Sequence, residues 1–99
     1  MAVLSNDEID QRLRALTGWS RQGSAIVRQF AFKGFPEAVA FAGRLVPGAE
    51  AADHHPDLTI NYRKVTVSYS THSEGGVTAK DFAGAEAADR AARETGEQG

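Results

Sequence analysis

The three histidines of this chain lie in one short stretch, where His54 and His55 are adjacent and His72 follows them. Histidine is the side chain whose unperturbed pKa, about 6.5, lets it donate or accept a proton near neutral pH. A small protein that gathers all its histidines at the ends of adjacent elements is expected to form a proton-transfer site. A metal site and a chance grouping are the alternatives that the residue types leave open.

Two predicted strands position these histidines. Alternation of apolar and polar residues predicts strands over residues 58–62 and 65–71, joined by a short turn. In an antiparallel hairpin, the start of the first strand lies beside the end of the second. His72 is therefore expected next to His54, and Pro56 stiffens the chain between the histidine pair and the first strand.

Two imidazoles that face one cavity are suited to general acid–base catalysis. One can protonate a leaving group while the other accepts a proton, and each such step contributes typically about 10²–10⁴-fold to the rate. The carboxylates of Glu50, Asp53 and Asp57 surround the histidine pair and can orient an imidazole. No serine has the context of an activated nucleophile. The residues therefore predict proton transfer on a small molecule without a covalent intermediate.

A metal site is less well supported by the spacing. Adjacent histidines point in different directions, unlike the i, i+4 ligand pairs of helical metal sites. The chain has no cysteine, which excludes disulfides, thiolate catalysis and zinc–thiolate sites. We therefore expect no metal.

Length and composition predict a single globular domain over residues 1–99, with a core at about 5–93 and a polar C-terminal tail that frays after Arg90. Hydrophobic residues make up 41% and charged residues 24% of the chain, and its formal charge is −2. A net acidic chain with scattered basic residues argues against nucleic acid as a partner. No apolar run is long enough to span a membrane, and no signal-peptide pattern is present, so a cytoplasmic protein is expected.

The elements are predicted in the order α-β-β-α-β-β-α. Ser5 begins a capping box that starts the first helix, and Thr78 with Asp81 forms a variant capping box at the start of the third. Pro47 predicts a kink or a short break near Val46 in the second helix. Hairpins separated by helices favour an α+β fold, with a four-stranded antiparallel sheet and three helices on one face.

The first predicted hairpin has one buried face. Its strands cover residues 19–22 and 25–33, and Ile26, Phe30 and Phe32 share one side of the second strand. The third helix is rich in alanine, which permits close approach to the sheet or to a second subunit.

A series of residues over positions 50–81 matches a known pattern in residue type and in spacing. Its members are Glu50, His54-His55-Pro56, Tyr62, His72 and Asp81. This series resembles the pterin-4a-carbinolamine dehydratase family. Weaker similarities extend the resemblance to about residues 5–93.

The resemblance implies a hydro-lyase reaction. A 4a-hydroxytetrahydropterin, formed when an aromatic amino acid hydroxylase turns over, loses water to give quinonoid dihydropterin in tetrahydrobiopterin recycling. His54 and His72 would form the acid–base pair: one protonates the departing hydroxyl on ring carbon 4a, and the other assists loss of the proton from ring nitrogen 5. His55 would bind and orient the pterin. The family needs no metal or organic cofactor.

The resemblance also assigns roles to the other residues of the site. The residues expected to bind the substrate are His54, His55, Pro56, Thr71, His72, Ser73 and Glu74. The residues expected to support them are Glu50, Asp53, Tyr62 and Asp81. The three histidines would be the catalytic residues.

Simpler interpretations exist for three of these residues. Asp81 has a simpler role as a helix-cap residue. Glu50 has a simpler role as a solvated carboxylate on a helix. Tyr62, like Trp19, is expected to be a packing residue, with Tyr62 close to the pocket. Leu58 stands where some family members carry a tryptophan, a departure that bears on substrate affinity rather than on the chemistry.

The resemblance implies partners as well. Family members commonly form homodimers through edge strands and homotetramers through helices, and an aromatic amino acid hydroxylase would supply the substrate. The alternative function is a non-catalytic protein-binding module, either a transcription cofactor or an assembly factor. Retention of all three histidines favours catalysis. A third alternative is pterin binding in another pathway, such as molybdopterin metabolism.

Overall fold

The computed structural model describes residues 3–98, so the extreme ends of the predicted domain 1–99 lie outside the described part. The predicted α+β fold with a four-stranded antiparallel sheet is confirmed, and the strand order is β1-β2-β4-β3. The elements are α1 (Asn6–Leu13), β1 (Ser20–Gln22), β2 (Ala25–Ala31), α2 (Phe35–Arg44), α3 (Val46–Ala52), β3 (Asp57–Asn61), β4 (Lys64–Tyr69), a short 3₁₀ turn η1 (His72–Glu74) and α4 (Ala79–Thr95).

Both predicted capping boxes are present. The Ser5 hydroxyl accepts a hydrogen bond from the Glu8 backbone, and the Glu8 carboxylate accepts one from the Ser5 backbone. The hydrogen bond from the Ser5 backbone to the Glu8 carboxyl, followed by the interaction of the Ser5 hydroxyl with the same carboxyl, lowers the pKa of Glu8. At α4, the Thr78 hydroxyl accepts from Lys80 N, and the carboxylate of Asp81 accepts from Thr78 N. Each box satisfies backbone donors that the first turn of a helix leaves unpaired.

The predicted second helix is divided into α2 and α3, as the break expected near Val46 required. Leu45 separates the two helices, and Pro47 stands in the first turn of α3, where a missing N–H costs no intrahelical hydrogen bond. The proline therefore begins a new helix. The helix α3 ends at Asp53, whose left-handed conformation (φ 49°) turns the chain into His54.

One face of the sheet carries the core. Three residues are 0% exposed, which confirms their predicted shared face: Ile26 and Phe30 in β2, and Phe32 directly after it. The ring centroid of Phe41 in α2 lies 4.8 Å from the ring centroid of Phe30 and 4.9 Å from that of Phe32. Both α2 and α4 pack against β4 and against each other. The helices therefore cover the face of the sheet that the aromatic residues line.

The hairpin of β3 and β4 forms one edge of the sheet. Its turn contains Tyr62, which has a left-handed backbone (φ 55°) and is 66% exposed. The expectation that Tyr62 packs close to the pocket is wrong, because the turn lies at the opposite end of β3 from His54. The edge strand β3 is exposed along its length, with Leu58 and Ile60 each 39% exposed.

The C-terminal segment is held against the sheet. The helix α4 continues to Thr95, so the expectation that the chain frays after Arg90 is wrong. The guanidinium of Arg28 donates to Glu97 at 2.5 Å, and Gln98 N donates to the carbonyl of Ala31 at 2.8 Å. Polar composition alone suggested fraying, but a half-buried arginine on β2 provides this segment with a partner.

The same arginine organises the end of the first hairpin. Arg28 also donates to Asp89 in α4 at 2.6 Å, and Trp19 Nε1 donates to that carboxylate at 2.9 Å. Trp19 is 6% exposed, in agreement with its predicted packing role. No helix within residues 3–98 is long and apolar enough to cross a membrane.

Candidate active site

The carboxylate of Asp81 is the centre of a buried hydrogen-bond network. Its Oδ2 accepts from Thr78 N at 2.9 Å and from Thr71 Oγ1 at 2.8 Å, and its Oδ1 lies 2.6 Å from His54 Nε2. Asp81 is 0% exposed. It therefore caps α4 and also holds His54, so the helix-cap interpretation and the supporting role apply to the same side chain.

Burial of a carboxylate is costly unless its oxygens are hydrogen-bonded. Three donors from three different segments converge on Asp81: a helix N-terminus, the end of the second hairpin, and the chain that follows α3. The helix dipole of α4 also favours negative charge at this position. The carboxylate therefore fixes these segments relative to one another.

His54 has one ring nitrogen that is bound and one that is available. Its side chain is 12% exposed, and its Nε2 faces the Asp81 carboxylate. Because a carboxylate only accepts hydrogen bonds, Nε2 carries the hydrogen and Nδ1 is left to exchange a proton. Within residues 3–98, no buried side-chain nitrogen or oxygen lacks a partner, so the unpaired Nδ1 is open to its surroundings.

Tyr69, the last residue of β4, lies beside the imidazole of His54. The centroid of its ring lies 6.1 Å from the centroid of the His54 imidazole, with an angle of 20° between the two ring planes. Burial, together with the nearby charge of Asp81, raises the pKa of Tyr69 to about 12. Tyr69 falls within the strand predicted over residues 65–71, and its position two residues before Thr71 was the only signal of its place at the site.

A cavity of about 190 Å³ opens where α2, α3 and α4 meet above Tyr69 and His54. Its walls are largely apolar, and its other polar side chains are two cations. The remaining wall residues include Leu45, Ala49, Ala83, Ala87, Arg44 and Lys80. A small molecule with apolar surface and a few polar atoms fits such a lining.

His55 points away from this cavity. Its Nε2 lies 2.5 Å from the Glu50 carboxylate, and both side chains are more than half exposed. It lines a separate depression of about 180 Å³ that also includes Pro56 and Leu58. The adjacent histidines therefore diverge, as expected, and Glu50 is a solvated helix carboxylate that also pairs with an imidazole.

His72 lies in the exposed turn η1, together with Ser73 and Glu74. It does not line the cavity at His54, and no hydrogen bond or ring contact joins the two imidazoles among the described residues. The register of β3 and β4, continued past Asp57 and Ser68, sets His54 opposite the residue before His72. The hairpin therefore brings the two segments together, although the imidazoles do not touch.

Thr71 is the link between these segments. It is 4% exposed, in contrast to the exposed residues of η1 that follow it, and its hydroxyl donates to the carboxylate that holds His54. Asp53, by comparison, is an exposed residue that ends α3. Within residues 3–98, no group of three or more histidine, aspartate or glutamate side chains is arranged to hold a metal ion.

A sequence profile of the family described as pterin 4 alpha carbinolamine dehydratase matches residues 2–91. The chain belongs to this family. A relative from Roseiflexus castenholzii, provisionally named a pterin-4-alpha-carbinolamine dehydratase, is 55% identical over 83% of this chain and 89% of its own length. A relative from Mycobacteroides abscessus with the same provisional name is 45% identical over 90% of this chain and 95% of its own length.

Two solved structures are similar to this fold. One is described as a transcriptional coactivator/pterin dehydratase from Brucella melitensis, with a TM-score of 0.88 and 39% identity over 91% of this chain and 98% of that chain. The other is a pterin dehydratase-like protein described as a RuBisCO assembly factor in the alpha-carboxysome, with a TM-score of 0.61 and 20% identity over 75% of this chain and 86% of that chain. The second likeness shows the fold alone.

Proposed function

We propose that this protein is a 4a-hydroxytetrahydropterin dehydratase that acts by histidine acid–base catalysis. The observation that carries the proposal is the pairing of His54 with the buried carboxylate of Asp81 at the wall of an apolar cavity. Family membership supplies the substrate class, and the pairing supplies an oriented proton-transfer group.

The reaction removes a hydroxyl from ring carbon 4a and a proton from ring nitrogen 5, and a double bond forms between these two atoms. Water is the only other product, so no oxidant or reductant is needed. His54 Nδ1, once protonated, donates to the departing hydroxyl. His72 accepts the proton from nitrogen 5 and releases it to solvent, and His54 takes up a proton from solvent, so both groups return to their starting states.

Asp81 serves this step by orienting the imidazole. The carboxylate that pairs with Nε2 holds the ring so that Nδ1 faces the substrate. The ring of Tyr69 lies beside the imidazole and nearly parallel to it, with 6.1 Å between the ring centroids. A pre-oriented acid avoids the cost of arranging the group at the moment of reaction.

His72 and His55 have less restrained positions. The hydroxyl of Thr71 is anchored to Asp81, and the strand register keeps the residue after it near His54, with its side chain in the exposed turn η1. This supports His72 as the second proton-transfer group. His55 lines the neighbouring depression rather than the cavity at His54, so a pterin that His55 binds must extend beyond that cavity; the loss of His55 would then raise KM more than it lowers kcat.

The proposal is tested with purified protein and synthetic 4a-hydroxytetrahydropterin. Dehydration should be faster than the spontaneous reaction, and His54→Ala and His72→Ala should each reduce kcat by about 10²-fold or more, since each removes a proton-transfer group. His55→Ala is the matched histidine control, with the smaller effect on kcat. An inactive wild type, or a His54→Ala, His72→Ala double variant with undiminished rate, would overturn the proposal.

The physiological role that follows is recycling of tetrahydrobiopterin-type cofactors in the cytoplasm, alongside an aromatic amino acid hydroxylase. This role predicts that the protein sustains the turnover of a coupled hydroxylase reaction in which the 4a-hydroxy product accumulates. A rate of hydroxylase turnover that does not respond to the protein would count against the role but not against the dehydratase activity.

A protein-binding function is the second candidate. The similar structure described as a transcriptional coactivator/pterin dehydratase favours it, as does the exposed edge strand β3 with Leu58 and Ile60. The same edge would join two copies in a homodimer, with tetramers formed through the helices. Recovery of one stoichiometric partner by both the wild type and His72→Ala would support the binding function.

A further inference from the structure

The hydroxyl of Tyr69 is the polar end of an otherwise buried side chain, and it has no partner among residues 3–98. Tyr69 is 4% exposed, and no hydrogen bond reaches its Oη. Every fully buried side-chain nitrogen or oxygen in that part of the chain is hydrogen-bonded, so Oη is not sealed in the core. Tyr69 lines the cavity beside His54, so this cavity is open space next to its side chain.

Gly84 makes the room that this arrangement needs. A Cβ atom at position 84 would lie 2.5 Å from Tyr69 Cε1 and 2.7 Å from Cζ, the carbon that carries the hydroxyl. Glycine within a helix is less favourable than alanine by about 1 kcal/mol. The small residue in α4 therefore allows the phenol end of Tyr69 to lie against the helix at the cavity.

The protonation state of this hydroxyl is constant. Burial and the charge of Asp81 raise the pKa of Tyr69 to about 12, so the phenol keeps its hydrogen across the physiological range. The other polar side chains of the lining are the imidazole of His54 and the cations Arg44 and Lys80. Tyr69 is thus the one hydroxyl donor among the described residues that line the cavity.

The position of this donor beside His54 selects the substrate atom that it can reach. Ring carbon 4a must lie at His54 for the departing hydroxyl to be protonated, and its ring neighbour is carbon 4, which bears a carbonyl oxygen. The rings of Tyr69 and His54 are neighbours at 6.1 Å. The carbonyl oxygen, which is two bonds from the reacting carbon, therefore falls within the neighbourhood of the phenol.

We propose that Tyr69 is a substrate-binding residue whose hydroxyl donates a hydrogen bond to the carbonyl oxygen on carbon 4 of the bound pterin. This inference rests on the proposed function and names the contact that selects a 4-oxo pteridine. A pteridine with an amino group at carbon 4 presents a donor at that position, so the site discriminates against it.

The test measures binding, so it does not depend on turnover. The dissociation constants of 7,8-dihydropterin and of 2,4-diaminopteridine are measured by calorimetry for the wild type, Tyr69→Phe and Tyr62→Phe. Tyr69→Phe loses one neutral hydrogen bond, so its dissociation constant for dihydropterin should be about 3- to 10-fold higher than that of the wild type. The same variant should lose the wild-type preference for the 4-oxo ligand, whereas Tyr62→Phe, which removes an exposed hydroxyl, should match the wild type.

A dissociation constant for Tyr69→Phe within twofold of the wild-type value would overturn the inference, and so would a wild type that binds both ligands equally. In both cases the dehydratase proposal stands on the activity of the wild type. A wild type that binds neither ligand contradicts both proposals. Because phenylalanine keeps the ring, an unchanged unfolding free energy in Tyr69→Phe separates lost binding from lost structure.

Discussion

The replacement Asp81→Asn tests how His54 is held. Thr78 N is a backbone donor, so the single oxygen of asparagine must remain at the position where it accepts from that group. The amide NH₂ then faces His54 Nε2, which lies 2.6 Å from the carboxylate oxygen that it replaces. Nε2 must become an acceptor, and the hydrogen moves to Nδ1, so the imidazole presents the opposite tautomer to the substrate.

The expected loss of activity is large and the expected loss of stability is moderate. A wrong tautomer removes the contribution of the acid–base group, about 10²–10⁴-fold in kcat/KM. Hydrogen bonds to a charged group are worth about 1.5–3 kcal/mol and neutral ones about 0.5–1.5 kcal/mol, so the three bonds at Asp81 lose about 3 kcal/mol together. A domain with the usual 5–15 kcal/mol of stability, roughly, remains folded.

The assay pairs kcat/KM for dehydration with urea unfolding of the same preparation. Asp10→Asn, the same change at an exposed carboxylate in α1, is the control and should match the wild type in both measurements. Nitrogen-15 NMR of the His54 ring reports the tautomer directly. If Asp81→Asn keeps kcat/KM within threefold of the wild type while it is folded, the assignment of an orienting role to Asp81 is refuted.

Three further predictions concern stability. The pKa of Tyr69 is raised from 10.0 to about 12 in the folded state. The contribution of the protonated phenol to the free energy of unfolding is therefore fully present below pH 10 and is lost as the pH rises through 12. Urea unfolding across this window should show wild type losing stability relative to Tyr69→Phe, and a constant difference would refute the shift. Glu97→Gln should cost about 1–3 kcal/mol by weakening the half-buried pair with Arg28, and an unfolding free energy equal to that of wild type would show that the pair contributes nothing. Phe41→Ala should cost about 3–5 kcal/mol in the same assay, and a loss below 1 kcal/mol would contradict its place in the core.

Local signals in the sequence predicted much of the fold. The capping boxes at Ser5 and Thr78 set the helix starts, and Pro47 set the division between α2 and α3. Alternation predicted both hairpins, because a half-buried strand must place apolar residues on every second position. These features depend on neighbouring residues, so a single sequence contains the information that they need.

The features that sequence reasoning missed depend on contacts between distant segments. Arg28 on β2 holds Glu97, which composition assigned to a fraying tail. Tyr69 meets the imidazole of His54 only after the hairpin and α4 are assembled, and Gly84 has a reason only in that contact. Tyr62 matched the family series, yet it is exposed in the turn between β3 and β4. Its position in the series carries no information about its surroundings, so this exposure could not be predicted from the match.

The central claim is that His54 transfers a proton in the dehydration of a 4a-hydroxytetrahydropterin. The most direct measurement is the rate of dehydration by His54→Ala, with and without imidazole added to the solution. The account predicts a variant about 10²-fold slower than the wild type or more, with a rate that rises with the concentration of imidazolium, which occupies the space of the lost ring and supplies the proton. A variant as fast as the wild type, or a slow variant that imidazole does not restore at any concentration, would contradict it.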